Sequence, residues 1–234
     1  MLALEIPALP SVPVVGSDRR FPVGRIFCVG RNYEAHAREM GGDPTREAPF
    51  FFTKFPQAIV ESGATIPYPP VTRSFHHEGE LVIAIAKEAA GIDAKAAEEI
   101  VFGYAAGLDM TRRDLQNAAK EKGRPWDNGK NFAYGAPIGA IRPVEGHGHV
   151  TGGALRVTVD GVEKQTGDVS EMVWTPFEVL AHLSKIERLL PGDLVYTGTP
   201  AGVGPVEPGN VVTVEIAGLA PCTITIGERE AAFR

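Results

Sequence analysis

The segment His76-His77-Glu78-Gly79-Glu80 sets two carboxylates two positions apart. On a strand, side chains at i and i+2 leave the same face, so Glu78 and Glu80 project together. Two such charges repel unless something positive sits between them, and a divalent cation is the usual answer. All-oxygen ligands suit Mg²⁺, Mn²⁺ or Ca²⁺ rather than zinc. An isolated E-x-E is more often a strand edge with two solvated glutamates, since exposed carboxylates are common. Asp109 adds a third acid. It ends the apolar run FGYAAGLD, at the tip of a strand expected to be buried, where a charge is costly without a partner. Capping of a helix opening at Thr111 is the equal alternative.

A second pair can do proton chemistry. His36 and Glu39 are three positions apart in a segment with helical composition, so they share a face. A carboxylate that orients an imidazole makes a general base near neutral pH. The plainer reading is a solvent-facing helical pair, which spacing alone does not displace. Likewise, taken alone, Lys130 reads as a surface lysine, Arg113 and Gln116 as one solvated helix face, and TGTPAGVG as a turn-rich connector.

These side chains need a scaffold. Arg25–Gly30, Phe50–Phe55 and Gly79–Ala86 read as strands, and Val101–Leu108 is again apolar. Asn32–Met40 is helix-favouring and stopped by Gly41-Gly42. Lys95–Ile100 starts a short helix, Thr111–Lys122 is helix-prone, and Thr175–Leu189 is helical with Thr175 as cap and Pro176 in the first turn. Leu155–Val159 and Glu163–Thr166 flank Asp160-Gly161, the clearest hairpin turn. Val195–Thr197, Val211–Ile216 and Thr223–Ile226 complete a β-rich second half. Regular βα alternation is missing, so a Rossmann or TIM architecture does not fit, and an α+β, mostly β fold does.

The 234 residues, 44% hydrophobic and 22% charged, are ordinary for a globular protein with a real core. A formal net charge of −6 without a basic, aromatic-interleaved cluster argues against nucleic acid as a partner. No run is long enough to span a bilayer, and residues 1–16 lack a basic leader. Cys28 and Cys222 form no framework pattern, which fits reduced thiols in the cytoplasm. Residues 1–20 read as a short extended segment before a single domain over 21–234.

Linked motifs then point to a family. VGRNYEAHAREMG (29–41), FFFTKF (50–55), HHEGELVIAI (76–85), GYAAGLDMTRRDLQ (103–116), RPWDNGKNF (124–132) and LVYTGTPAGVG (194–204) resemble the fumarylacetoacetate hydrolase family, in its short bacterial acylpyruvase and fumarylpyruvate hydrolase branch. The likeness runs over essentially the whole chain after about residue 20. It implies a mixed β-roll with short helices, commonly dimeric. It implies Glu78, Glu80 and Asp109 as Mg²⁺ or Mn²⁺ ligands, with Ca²⁺ as a substitute. It implies His36 and Glu39 as catalytic dyad, Lys130 beside the metal, and Arg113, Gln116 and Thr199 near a pyruvoyl group. Lys54 matches a lysine on the strand before the metal motif, and Arg31 joins Lys54 among the expected substrate contacts.

The reaction so implied is hydrolysis of a carbon–carbon bond in a 2,4-diketo acid, with fumarylpyruvate the preferred substrate. Its far carboxylate needs a cationic or amide-rich pocket, and Arg31, Arg73 and Arg124 are available. Lys54-Phe55-Pro56-Gln57 departs from the Lys-Pro and small residues of many relatives, an aromatic that would reshape the pocket wall. The rivals are oxaloacetate decarboxylation, another acylpyruvase, a homoprotocatechuate-pathway isomerase or decarboxylase, and a metal-stabilised binding module without turnover.

Overall fold

The computed structural model describes residues 9–33 and 47–232. Its centre is an eight-stranded mixed sheet. Across it run Phe51–Lys54, Ile26–Val29, Leu194–Tyr196, Gly79–Ile85, Val101–Leu108, Ala136–Ile138 and Ile59–Glu61, with Arg142–Pro143 pairing alongside Val101–Leu108. Leu194–Tyr196 lies parallel to Ile26–Val29 and antiparallel to Gly79–Ile85. The α+β, mostly β architecture expected from the sequence is the one found.

Gly79–Ile85 is buried at every position. Its odd residues Leu81, Ile83 and Ile85 enter the main core, while Val82 and Ala84 enter a smaller core on the opposite face. Burial on both faces explains why the run shows no polar alternation. The main core lies between this sheet and an antiparallel-rich five-stranded sheet. That second sheet has Val162–Asp168 at one edge, then Ala154–Val159, Val211–Ile216, Cys222–Arg229 and Thr65–Tyr68. The smaller core is covered in part by a hairpin of Ser11–Pro13 with Arg20–Pro22.

The close approach of the two sheets fixes one glycine. A Cβ on Gly79 would lie 2.2 Å from Val157 Cγ2, so only glycine admits the facing strand there. At the Asp160-Gly161 turn both residues have positive φ, 51° and 77°, the backbone a two-residue hairpin with right-handed twist requires.

The local readings shift in places. The helix placed over Thr175–Leu189 ends at Leu183. Ser184 is buried there, its hydroxyl turned back to the Ala181 carbonyl, and the chain bends so that Leu189 bridges Ala89. Thr175 does cap it, in a reciprocal box with Glu178. Thr111 and Arg112 form a strand against Phe75–His77, and the helix begins only at Arg113. Strands at Ile59–Glu61, Thr65–Tyr68, Phe75–His77 and Ala136–Ile138 were not legible as such.

Candidate metal centre and active site

Glu78 does not share a continuous strand with Glu80. It is the link at which the chain leaves a small three-stranded sheet, through Phe75–His77, and enters the large one at Gly79. The two carboxylates converge nonetheless. Asp109 stands at the end of the neighbouring strand Val101–Leu108, and its N–H donates to the Glu78 carbonyl at 2.9 Å. That bond sets the ends of the two strands side by side. Carboxylate oxygens of Glu78, Glu80 and Asp109 therefore lie within 4.8 Å of one another, on side chains that are all buried. Asp109 caps no helix, because the helix after it has no side-chain cap.

Three buried cations answer the three acids. Lys130 Nζ sits 2.6 Å from Glu78 Oε2, 2.7 Å from Asp109 Oδ2 and 2.7 Å from Thr111 Oγ1. Arg113 bonds Glu78 Oε1 and, at 2.6 Å, the Gln116 side-chain carbonyl. Lys54 pairs with Asp109 Oδ1 at 2.7 Å and donates to the backbone carbonyls of Met110 and Lys130. Burial alone would drive Lys130 toward its neutral form, but Asp109 and Glu78 outweigh it and hold the ammonium above its usual range.

Glu80 is treated differently. Among the described residues its carboxylate receives one hydrogen bond, from Gly198 N–H at 2.8 Å, and no cationic side chain. Burial, then Asp109, then Glu78 push its pKa well above the ordinary carboxylate range. A cluster of hard oxygens short of positive charge on one side is what a divalent cation fits.

A narrow cavity lies over this cluster. Val29, Gly30, Arg31, Glu78, Glu80, Arg113, Gln116, Lys120, Trp126, Lys130 and Thr199 line it. Arg113, Gln116 and Thr199 are thus brought together with the acids, although they lie far apart in sequence. Thr199 donates to the Gly79 carbonyl and accepts from Gln165, each at 2.8 Å. Lys54 does not line the cavity, and its fully buried ammonium braces Asp109 from behind. Arg31 is on the wall. His36 and Glu39 lie outside the described residues.

Two side chains were missed. Lys120 stands four residues after Gln116 and seven after Arg113, a helical stripe visible in DLQNAAKE once Arg113 is known to face inward. Gln165 has no sequence signal. From the five-stranded sheet it accepts from Gly79 N–H at 3.0 Å, contacts His77 Nδ1 at 3.1 Å, and donates to Thr199 and the Pro200 carbonyl. It thereby ties the Glu78–Glu80 stretch to the TGTPAGVG loop.

The fumarylacetoacetate hydrolase C-terminal family model matches residues 25–227. The chain belongs to the fumarylacetoacetate hydrolase family. Within it, a fumarylpyruvate hydrolase from a Ralstonia species is 47% identical over 188 residues, spanning 80% of this chain and 97% of the relative. The crystal structure of fumarylpyruvate hydrolase from Pseudomonas aeruginosa, in complex with Mn²⁺ and pyruvate, superposes with a TM-score of 0.96 at 46% identity, covering 98% of this chain and 100% of that one. A mitochondrial oxaloacetate decarboxylase from Dictyostelium discoideum is 40% identical over 196 residues, spanning 83% of this chain and 89% of the relative. No helix among the described residues of this family member is long and apolar enough to cross a membrane.

Proposed function

We propose that the protein is a divalent-metal-dependent hydrolase of 2,4-diketo acids, converting fumarylpyruvate to fumarate and pyruvate. The observation that carries the reading is the buried acid cluster, with Glu80 short of positive charge, beneath a cavity walled by Arg113, Gln116, Lys130 and Thr199. The Ralstonia and Pseudomonas relatives bear this activity in their names, which supports the reading.

The residues divide the work as follows. Glu78, Glu80 and Asp109 hold the ion, Mg²⁺ or Mn²⁺ with Ca²⁺ as a substitute. When bound, that ion supplies a Lewis acid that stabilises an enolate oxygen. Three carboxylates facing Lys54, Lys130 and Arg113 balance in formal charge, so the loaded site presents an excess positive charge to an anionic substrate. Arg113 and Gln116, locked to each other, orient the pyruvoyl carboxylate. Lys130 adds a fixed positive charge where negative charge grows, and being clamped by Glu78, Asp109 and Thr111 it need not reorganise during the reaction. His36, oriented by Glu39, takes the proton from the attacking water, an assignment supported by the motif RNYEAHAREMG alone. Water adds to the distal carbonyl, the bond between that carbon and the methylene breaks, and its electron pair passes to the pyruvate enolate. A proton at the methylene carbon completes pyruvate. Lys54 acts through Asp109. The resemblance supports a homodimer, and the two unpaired cysteines, Cys28 and Cys222, support a cytoplasmic setting.

Oxaloacetate decarboxylation is the second reading, favoured by the Dictyostelium relative. It draws on the same enolate stabilisation without an attacking water. A substrate panel with Mg²⁺ or Mn²⁺ decides between them: fumarylpyruvate, maleylpyruvate, acetylpyruvate and oxaloacetate, followed by ultraviolet absorbance and product analysis. Loss of the diketo-acid absorbance with one fumarate and one pyruvate formed per fumarylpyruvate is expected. Release of CO₂ from oxaloacetate with the three diketo acids untouched would defeat the hydrolase reading.

A further inference from the structure

The cavity over the acid cluster holds five cationic or amide side chains, and their commitments differ. Arg113 is bound to Glu78 and Gln116, and Lys130 to Glu78, Asp109 and Thr111. Among the described residues, Arg31 and Lys120, which line the same cavity, form no ion pair and no side-chain hydrogen bond with any carboxylate. Lys120 is half-buried, its ammonium 5.7 Å from the Trp126 ring centroid. Burial, then Arg31, then Arg113 disfavour its charge, and Glu78 compensates only in part. Two like charges on the wall of one cavity repel, and an anion between them relieves that repulsion. Among the described residues no acid of the floor pairs with either one: Glu78 and Asp109 are bound to Lys130, Arg113 and Lys54, and Glu80 accepts from Gly198 N–H.

We propose that Arg31 and Lys120 form a paired-cation subsite for the second, distal carboxylate of a dianionic diketo acid, and so set the preference of the enzyme for substrates ending in a carboxylate. The proposal rests on the hydrolase reading and deepens it. The pyruvoyl carboxylate has Arg113 and Gln116 on the floor. The far carboxylate, separated from it by a rigid conjugated arm, needs donors elsewhere on the wall. Arg31 follows directly on the strand Ile26–Val29 and Gly30, and Lys120 sits in the last turn of the helix Arg113–Glu121. The subsite is therefore built from two elements that also contribute Val29, Arg113 and Gln116 to the same cavity. Gly30 keeps that wall thin, since a Cβ there would fall 1.9 Å from the Phe50 ring.

The test compares fumarylpyruvate with its crotonyl analogue, in which a methyl group replaces the distal carboxylate. The enzymes are the full chain with Mn²⁺, as wild type, Arg31→Met, Lys120→Met and the double variant. Wild type should favour fumarylpyruvate by about 100-fold or more in kcat/KM, from two charge-assisted hydrogen bonds realised only with the carboxylate. Each single variant should lose roughly 10-fold of that ratio and the double variant nearly all of it. Lys120→Arg should restore most of the preference. Equal losses on both substrates would overturn the proposal, as would an unchanged ratio in the double variant. Should the variants fail to fold, the wild-type ratio alone decides, and a value near one overturns the proposal. A wild type that hydrolyses neither compound overturns the hydrolase reading itself, a result distinguishable from hydrolysis of both without preference.

Discussion

Glu80 is the carboxylate that the protein leaves short of positive charge. Among the described residues Glu78 has Lys130 and Arg113, and Asp109 has Lys54 and Lys130, while Glu80 has one backbone N–H. Removing its charge while keeping its shape should therefore do two opposite things. Glu80→Gln should raise the Tm of EDTA-treated protein at pH 8, because a buried and repelled charge is gone. It should also weaken Mn²⁺ binding by at least about 100-fold, more than loss of an outer-sphere partner costs. Differential scanning fluorimetry with and without Mn²⁺ reads both effects. A variant destabilised in EDTA yet still shifted by Mn²⁺ like wild type would remove Glu80 from the ligand set. At this scale much was legible: E-x-E and the acid after FGYAAGL are visible in the chain. The cation assigned to each acid was not, since Lys54, Lys130 and Arg113 reach the cluster from three separate elements.

Strand ends set the cluster, and one glycine sets the strand. Gly79 lies between Glu78 and Glu80 and is pressed against Val157 of the facing sheet. Gly79→Ala should cost about 1–3 kcal/mol by overpacking, and it should also lower metal affinity by displacing both neighbours. Val157→Ala placed in the same chain frees the clashing methyl, so the double variant should recover metal affinity even where stability stays reduced by the smaller core. Chemical denaturation and Mn²⁺ titration measure the two. If Val157→Ala fails to restore binding, the sheet-to-sheet contact is not what positions the acids. Gln165 works at the same scale, linking one sheet to the chain of the other by hydrogen bonds to His77, Gly79, Thr199 and Pro200. A lone Gln in EKQTG gives no hint of this. Its partners are 34 to 88 positions away in the chain.

Across the whole molecule, the acid cluster couples folding to pH and to metal. In the metal-free fold the Glu80 pKa lies above its unfolded value. Glu80 thus keeps its proton in the fold at pH values where it ionises in the unfolded chain. The native state binds more protons there, and this group's contribution to stability is lost as pH rises toward the folded pKa. Metal binding expels that proton, so the gain from the ion grows over the same interval. At a fixed Mn²⁺ concentration the Tm increase over EDTA-treated protein should be larger at pH 8 than at pH 5. An increase that is the same at both values, or larger at pH 5, would mean that no buried carboxylate releases a proton to the ion.

The sequence by itself determined the fold class, the family, the hairpin at Asp160-Gly161 and the identity of the three acids. Those are properties of local composition and of motifs whose order along the chain is their own evidence. The tertiary structure decided how the acids meet. Glu78 belongs to the crossing between two sheets, and only the hydrogen bond from Asp109 N–H to the Glu78 carbonyl sets the two strand ends side by side. It also decided that Lys54 braces Asp109 while Arg31 and Lys120 stand in the cavity wall without a carboxylate partner among the described residues. Whether a buried charge holds a neighbour or waits for a ligand depends on which opposite charge the folded chain brings within a few ångströms, and spacing along the sequence does not contain that distance.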